Sequence, residues 1–356
     1  MAGVCYHGLF NSMLFSFCVL LVSLVLTGVI RHYALSSNVL DIPNQRSSHT
    51  IPTPRGGGLA IVLAFSCALA YLAWKQQLES WILFVLSTPL LVAAIGFCDD
   101  HAHVAARWRF LTHLLAALLA LYFMRGFPLL WLPAPVDGWL SRYVVNLAWF
   151  GYPLGAVLLV WLLNLFNFMD GTDGIAASEA VFVSLGLAGF LYFIDRNLFS
   201  VCVAVAIAAL GFLAWNWPKA RIFMGDVGSG FLGLLLGILI LLAARNAAIL
   251  LYCGLILFGV FLVDASYTLI VRFVTGQKWY DAHCSHTYQH AAKRYGHLPV
   301  LLAVHAINYM WLLPISIWVF LHPHRALLGM IAAYLPLLAL AYTFKAGLAG
   351  KSKHGV

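Results

Sequence analysis

The sequence predicts an all-α fold, a polytopic helical bundle that forms a single membrane-embedded domain over residues 1–356. Charged residues make up only 9% of the chain, whereas a soluble domain carries about 25%. Apolar runs of about 18 residues or more recur along the chain, as they do in membrane proteins. They are too uniformly apolar for the alternating strands of a barrel. Because backbone polar groups in lipid need internal partners, these runs are predicted to be helices.

The apolar runs predict about eleven transmembrane spans. The first follows an N-terminus without a basic region and is longer than the apolar core of a signal peptide, so it is interpreted as a retained span. Gly151, Pro153 and Gly155 interrupt the fifth. Seven scattered cysteines without a CxxC pair indicate neither a disulfide framework nor a zinc knuckle. In chain order, the predicted spans cover residues 10–30, 57–74, 81–97, 110–124, 145–165, 176–194, 198–215, 228–244, 247–270, 299–320 and 326–344.

The loop charges predict the orientation of the bundle. Fourteen of the twenty Lys and Arg residues lie on the side shared by the odd-numbered loops and the C-terminus. The positive-inside rule therefore places the C-terminus in the cytoplasm and the N-terminus outside. This pattern and an anionic leaflet account for the net charge of +8, so nucleic acid is not predicted as a partner. Nine of the twelve acids lie on or near the same face, where they repel unless cations stand among them.

Two polar stretches place acids at the ends of apolar runs. Asp99 and Asp100 follow the third span in GFCDDHAH, and the pair suits either a metal or proton-transfer site or a solvated loop. Asp226 precedes the eighth span in RIFMGDVGSGFLG. It is predicted to be either a helix N-cap or a metal ligand held rigidly at a helix start.

A third polar stretch, NLFNFMDGTDG, ends the fifth apolar run. Asn164 and Asn167 repeat the three-residue spacing of Asp170 and Asp173, and residues so spaced share one face of a helix or tight turn. A loop of turn-forming residues is the alternative. The functional interpretation is favoured because a helix cap needs one such residue rather than four in register.

A fourth stretch, WYDAHCSHTYQHAAKRYGH, is rich in histidine. His283, His286 and His290 are predicted to share one helical face. Zinc is disfavoured because HExxH is missing and the stretch holds one thiol. Phosphate contact by imidazole, Lys293 or Arg294 is favoured, and an interfacial helix remains the alternative.

A fifth stretch, DIPNQRSSHTIPTPRGGG, precedes the second span. Prolines and glycines exclude a helix until about Gly58. Arg46 and Arg55 supply cations, and Gly56, Gly57 and Gly58 are predicted to let backbone N–H groups approach an anion.

Together the five stretches predict one polar site on the cytoplasmic side. Carboxylate ligands without thiols suit Mg²⁺ or Mn²⁺, and Mg²⁺ is commonly held by one or two carboxylates plus substrate phosphates. A phosphate or pyrophosphate substrate at the membrane surface follows as a hypothesis. A membrane transporter of an anionic solute is the alternative from another class, although transporters place ionisable groups near the bilayer midplane. A non-catalytic scaffold would give no reason for the one-sided acids.

These motifs resemble those of the polyprenyl-phosphate N-acetylaminosugar-1-phosphate transferases over nearly the whole chain. The resemblance is carried by PRGGG (54–58), DD (99–100), NFMDGTDGIA (167–176), MGDVGSG (224–230) and the histidine stretch from His283. It implies a fold of ten or eleven spans with a cytoplasmic active site. The implied reaction moves a sugar 1-phosphate from a UDP-sugar to undecaprenyl phosphate, releases UMP and uses Mg²⁺.

The resemblance also implies roles for the matching residues. Asp226 corresponds to a metal ligand, and Asp99 to the carboxylate that deprotonates the lipid phosphate, with Asp100 assisting. The predicted metal set is Asp226, Asp170 and Asp173. The predicted substrate-binding set contains residues that match the motifs and cationic residues on the same membrane side. These are Asn164, Asn167, Arg55, Gly57, Arg272, His283 and His286.

One departure bears on the substrate. The sequence has HCSHTYQH where the muramoyl-pentapeptide enzyme of the family has three consecutive histidines, which argues against that substrate. The stretches around residues 41–58 and 285–289 look most like the subgroup that initiates O-antigen or other surface polysaccharides in Gram-negative bacteria. The implied location is the bacterial inner membrane. The implied partners are a UDP-N-acetylaminosugar, undecaprenyl phosphate and membrane lipid, with a homodimer as a further hypothesis.

Overall fold

The computed structural model describes residues 2–43, 51–140, 143–278 and 283–348 and is dominated by helices. Two short antiparallel strand pairs interrupt them, β1 (Leu40–Asp41) with β2 (Thr53–Pro54) and β3 (Leu130–Trp131) with β4 (Val144–Val145). The α-helices are α1 (Ala2–Ser36), α2 (Gly58–Trp74), α3 (Ser80–Ser87), α4 (Pro89–His101), α5 (Ala106–Phe123), α6 (Val136–Leu140), α7 (Gly151–Met169), α8 (Ile175–Leu191), α9 (Arg196–Asn216), α10 (Asp226–Asn246), α11 (Leu250–Leu257), α12 (Gly259–Val274), α13 (Thr287–Tyr295), α14 (His297–Ile307), α15 (Leu313–Leu321) and α16 (Ala326–Thr343). Short helical turns lie at Ala148–Phe150, Asn308–Leu312 and Pro323–Arg325.

Helix α10 forms the centre of the bundle. Every residue from Val227 to Ala244 is buried, and α10 packs against α2, α4, α7, α8 and α11. The backbones come close because glycines face each other: a Cβ on Gly58 would lie 2.3 Å from Cα of Gly228. Helix α10 therefore holds its first residue, Asp226, at a defined place between its neighbours.

The described residues support a multi-pass helical membrane protein. Seven helical segments are long and apolar enough to cross a membrane, or up to eight if the bent pair α11–α12 counts as one span. Two further predicted spans correspond to shorter apolar helices, α2 and α8. The predicted span 110–124 corresponds to α5, which is not among those candidates. The count of about eleven spans and the orientation of the termini therefore stay predictions.

The predicted span 247–270 corresponds to two helices, α11 and α12, rather than to one. The chain bends by 72° between α11 and α12, and Phe258 leaves the helical conformation with ψ of 7°. Such a break frees backbone carbonyls that need partners in an apolar setting. The hydroxyl of Tyr334 donates to the carbonyl of Leu255 at 2.8 Å and supplies one. After the bend, α12 packs against α7, α13 and α16.

We expect Gly58→Ala to destabilise the protein, because the added methyl meets the backbone of Gly228 and one of the two helices must move. Overpacking of this kind costs about 1–3 kcal/mol. Thermal unfolding in detergent measures the effect. The matched control is Gly189→Ala on α8, where a Cβ has open space. Equal Tm values for the two variants would contradict the close helix contact.

Candidate active site

Three helix ends meet at a pair of carboxylates bridged by a guanidinium. Asp99 lies in the last turn of α4, Asp226 is the first residue of α10, and Arg109 lies in the first turn of α5. Nη1 of Arg109 donates to Oδ2 of Asp99 at 2.8 Å and to Oδ2 of Asp226 at 3.1 Å. The other oxygen of Asp99 accepts the backbone N–H of Val104 at 2.7 Å. The group is partly open to solvent, so ligands can reach it.

The end of α7 completes this cluster. Nδ2 of Asn167 donates to Oδ1 of Asp226 at 2.9 Å and to the hydroxyl of Ser229 at 2.8 Å. Asp170, just after the helix, is half-buried beside the other acids. Burial and the carboxylates of Asp226, Asp100 and Asp173 raise the pKa of Asp170 well above its usual range. The cluster thus holds more negative charge than its neighbouring cations balance.

Asn164 makes a different contact from Asn167, although the two share the predicted spacing. Its Nδ2 donates to the carbonyl of Val160 at 2.7 Å, within α7 itself. Among the described residues, the side chain of Asn164 therefore bonds within its own helix and not to the carboxylate cluster. Its predicted substrate role stays a prediction.

The carboxylate of Asp100 caps the start of α10. Its Oδ1 accepts the backbone N–H of Asp226 at 3.1 Å, and its Oδ2 accepts that of Val227 at 3.2 Å. Gly225 precedes them at φ of +76°, and a Cβ there would lie 2.5 Å from Oδ2 of Asp100. Arg55 binds the backbone carbonyl of Asp100 through Nε at 3.1 Å and Nη2 at 2.6 Å. These contacts favour a positioning role for Asp100 over the predicted assistance in proton transfer.

The glycine-rich segment before α2 uses its amides for packing, which corrects the prediction of an anion-binding role for Gly57. The N–H of Gly57 donates to the carbonyl of Phe223 at 2.9 Å, and that of Gly58 to the carbonyl of Met224 at 2.8 Å. Gly57 is buried. The segment therefore supports the loop that precedes Asp226. Arg46, predicted as a cation of the same stretch, lies outside the described residues.

Asp173 lines a cavity. Its Oδ2 accepts the backbone N–H of Ala220 at 3.1 Å and lies 3.2 Å from Nδ1 of His297. The cavity has a volume of about 500 Å³, in the range typical of small-molecule sites. It is lined by residues of four segments: Ile51, Thr53, Asp173, Pro218, Lys219, Ala220, Phe223, Gly296, His297, Leu298 and Pro299.

The histidines do not share one helical face, which corrects the sequence prediction. Helix α13 begins at Thr287, so His283 precedes it and His286 is its N-cap residue. The ring of His283 stacks on that of His286 with centroids 4.8 Å apart. Burial, His286 and Arg272 lower the pKa of His283 to about 4. His283 is therefore neutral at neutral pH and can contact a phosphate only as a hydrogen-bond partner.

Arg272, predicted to bind substrate, is buried at the end of α12. Its Nη1 donates to Oε1 of Gln277 at 2.9 Å, and its Nη2 to the carbonyl of Lys278 at 2.9 Å. These contacts use the guanidinium to hold the following loop. A direct substrate contact stays a prediction.

The donor set bears on the predicted Mg²⁺ or Mn²⁺. Among the described residues, no group of three or more His, Cys, Asp or Glu side chains has metal-binding geometry. Mg²⁺, however, is commonly held by one or two carboxylates with phosphate oxygens and water. Asp226 and Asp170 supply hard oxygens among other acids, and burial together with the neighbouring carboxylates raises the pKa of Asp170. The residues present fit such an ion.

The sequence interpretation missed two site residues. Arg109 was counted only as a loop cation, although it follows Asp99 by ten positions at the start of an apolar run. Ser229 lies inside the MGDVGSG motif, one helical turn after Gly225. For Arg109, the short spacing from the acid pair could have indicated a place in the site. For Ser229, only its position inside the MGDVGSG motif could have done so.

Comparison with known proteins gives concordant matches. The chain matches Glycosyl transferase family 4 over residues 81–244, a range that includes Asp99, Arg109, Asn167, Asp170 and Asp226. It is 28% identical over 298 residues to a probable undecaprenyl-phosphate N-acetylglucosaminyl 1-phosphate transferase of Bacillus subtilis, covering 82% of this chain and 80% of the relative. It is 30% identical over 226 residues to a decaprenyl-phosphate N-acetylglucosaminephosphotransferase of Mycolicibacterium smegmatis, covering 59% of this chain and 55% of the relative. It is 32% identical over 209 residues to a phospho-N-acetylmuramoyl-pentapeptide-transferase of Wolbachia sp. subsp. Brugia malayi, covering 54% of this chain and 61% of the relative.

We expect Asp170→Asn to raise the Tm of the metal-free protein, because it removes one charge from a crowded set of carboxylates. Since the pKa of Asp170 is raised in the folded state, the stability it contributes falls as pH rises above the ordinary carboxyl range of about 4. The gain from Asn is therefore larger at about pH 8 than at about pH 5.

Thermal unfolding with a chelator measures this gain. Asp195→Asn is the control, because Asp195 caps α9 through the N–H groups of Asn197 and Leu198, and Asn caps equally well. That variant should show little change at either pH. A lower Tm for Asp170→Asn at both pH values would contradict the electrostatic account.

Proposed function

The chain belongs to the polyprenyl-phosphate sugar-1-phosphate transferases, and we propose that it moves an N-acetylaminosugar 1-phosphate from a UDP-sugar to undecaprenyl phosphate. The products are undecaprenyl-diphosphate-linked sugar and UMP. The observation that carries the proposal is the cluster of Asp99, Asp226, Asn167 and Arg109 at meeting helix ends.

The charges of the cluster suit this reaction. An oxygen of the lipid phosphate forms a bond to the phosphorus that carries the sugar. The bond from that phosphorus to the oxygen of UMP breaks, and UMP leaves with the electron pair. Both substrates are anions, so the reaction needs fixed positive charge where they meet. Arg109 and Arg55 lie beside the cluster and supply part of it, and a divalent cation would supply the rest.

Asp99 is the proposed acceptor of the lipid phosphate proton. It stands at the solvent-accessible end of α4, and the N–H of Val104 and Arg109 orient its two oxygens. Asp100 acts from behind by holding the backbone of Asp226 and Val227. Asn167 holds the side chain of Asp226.

Asp226 and Asp170 would hold Mg²⁺ or Mn²⁺, which when bound would supply Lewis-acid charge against the phosphate oxygens. The predicted metal role of Asp173 stays a prediction. The cavity beside Asp173 is the proposed seat of the nucleotide. Phe223 offers an apolar surface, while Lys219 and His297 offer polar contacts. His283 and His286 remain proposed contacts of the sugar phosphate.

The finer proposal concerns the setting of the reaction. The site faces the cytoplasm at the inner membrane, and the transfer is the first membrane step of O-antigen or other surface polysaccharide synthesis. The stretches 41–58 and 285–289 support it by their resemblance to that subgroup. The UDP-sugar is an N-acetylhexosamine or its 6-deoxy form.

A UMP-release assay tests the function. We expect purified protein with undecaprenyl phosphate and Mg²⁺ to release UMP and form a lipid-linked sugar from at least one of UDP-GlcNAc, UDP-GalNAc, UDP-FucNAc and UDP-QuiNAc. Omitting the lipid or chelating the metal should stop the release. No UMP with any of the four sugars would count against the proposal. Proteoliposomes that move an anionic solute without consuming a UDP-sugar would support the transporter alternative.

Asp226→Asn and Asp99→Asn should each lower turnover by roughly 1,000-fold or more, because Asp99→Asn removes the proposed proton acceptor and Asp226→Asn removes the carboxylate that would hold the metal ion. Their Tm values should stay within a few degrees of the wild type. Asp137→Asn is the control, since Asp137 lies beside His324 in a different segment and should leave turnover unchanged. Normal turnover in either site variant would remove its proposed role.

A further inference from the structure

The end of α7 is attached to the histidine stretch by one buried tyrosine. Tyr288 lies in the first turn of α13 and is 3% exposed. Its hydroxyl donates to the carbonyl of Phe168 at 2.9 Å. Carbonyls in the last turn of a helix have no partner within the helix, so this hydroxyl satisfies a group that would otherwise be open. Phe168 lies between Asn167 and Asp170, which border Asp226.

The contact is too close to leave room for a side chain on the α7 side. A Cβ on Gly171 would lie 2.2 Å from the hydroxyl oxygen of Tyr288 and 3.1 Å from Cζ. Gly171 has no positive φ, so backbone conformation does not demand glycine there. The first glycine of the MDGTDG stretch therefore makes room for Tyr288.

Tyr288 is itself held from the other side. Oδ1 of Asp264 accepts the backbone N–H of Thr287 at 2.8 Å, and Oδ2 accepts that of Tyr288 at 3.0 Å. Asp264 is buried on α12, where the hydroxyl of Thr268 also donates to it at 3.3 Å. An ionised carboxylate that accepts two backbone N–H groups at a helix start makes strong, directed bonds. Asp264 thus fixes the start of α13 to α12, and the hydroxyl of Tyr288 connects α13 to the end of α7.

We propose that Tyr288 is a positioning residue of the active site: its hydroxyl, anchored through Asp264, holds the end of α7 so that Asn167 and Asp170 keep their places beside Asp226. The inference deepens the proposed function and rests on it for its catalytic meaning. Tyr288 binds the backbone of α7 and acts on the reaction only through that helix end.

Tyr288→Phe removes the hydroxyl and keeps the ring. We expect kcat to fall about 10-fold to 100-fold, because small displacements of positioning groups cost that much. KM for the UDP-sugar should change less than about 3-fold, since the hydroxyl is committed to protein. A fall in the Tm of Tyr288→Phe with kcat unchanged would indicate a purely structural role and would overturn the proposal.

Tyr334→Phe is the matched control. The Tyr334 hydroxyl also donates to a backbone carbonyl, that of Leu255 at 2.8 Å, but it joins α16 to α11 away from the cluster. The control should lower Tm to a similar degree and leave kcat unchanged. Equal kcat in wild type and Tyr288→Phe would overturn the proposal. So would a raised KM at unchanged kcat, which would indicate direct substrate contact.

Hydrogen exchange of the full chain without substrate gives a readout that needs no turnover. Amides of residues 165–175 should exchange faster in Tyr288→Phe than in the wild type or Tyr334→Phe. Unchanged exchange there would overturn the proposal. If the wild type releases no UMP but the exchange difference is present, the proposed function fails while the attachment of α7 through Tyr288 stands.

A suppressor variant tests the contact between Gly171 and Tyr288. Gly171→Ala alone places a methyl against the hydroxyl of Tyr288 and should reduce turnover strongly. Combined with Tyr288→Phe, the closest atom is gone, and turnover should return to that of Tyr288→Phe alone. A double variant as inactive as Gly171→Ala would show that the glycine is needed for another reason and would count against the proposed contact.

Discussion

The first turn of α10 is the constraint on which the site depends. Its leading N–H groups have no helical partners, and the carboxylate of Asp100 from α4 accepts two of them. On the other side, Asn167 from α7 and Arg109 from α5 bind the carboxylate of Asp226. Four helices thus determine where one acid points. Because α10 is buried along its length, this point cannot shift without repacking the bundle.

Much of the glycine content serves this packing. Gly58 meets Gly228 between α2 and α10, Gly225 makes room for Asp100, and Gly171 makes room for Tyr288. Glycines in phosphate-enzyme motifs are readily interpreted as ligand cradles. Here the glycines let backbone segments and polar side chains of the protein approach each other. The surface open to ligands lies at the side chains that these contacts position.

The same arrangement concentrates negative charge. Asp170 shares its surroundings with Asp226, Asp100 and Asp173, while Arg109 bridges Asp99 and Asp226. Such crowding of carboxylates lowers the stability of the folded chain, and residues of functional sites often reduce stability in this way. A divalent cation bound there would offset the negative charge of the carboxylates and of the two phosphate-bearing substrates.

The sequence by itself determined the membrane-helix class and the polar stretches that supply the cluster, because lipid and carboxylate chemistry depend on composition and local spacing. It placed Asn167, Asp170 and Asp226 in one group through motif position. Only the tertiary structure distinguished the contacts of Asn164 from those of Asn167, used the amide of Gly57 for packing, bent the chain between α11 and α12, and brought Arg109 and Tyr288 to their contacts. The physical reason is that most of these contacts join residues far apart in the chain, up to 166 positions for Gly57 and Phe223. Their formation depends on how helices cross, which periodicity along the chain does not contain.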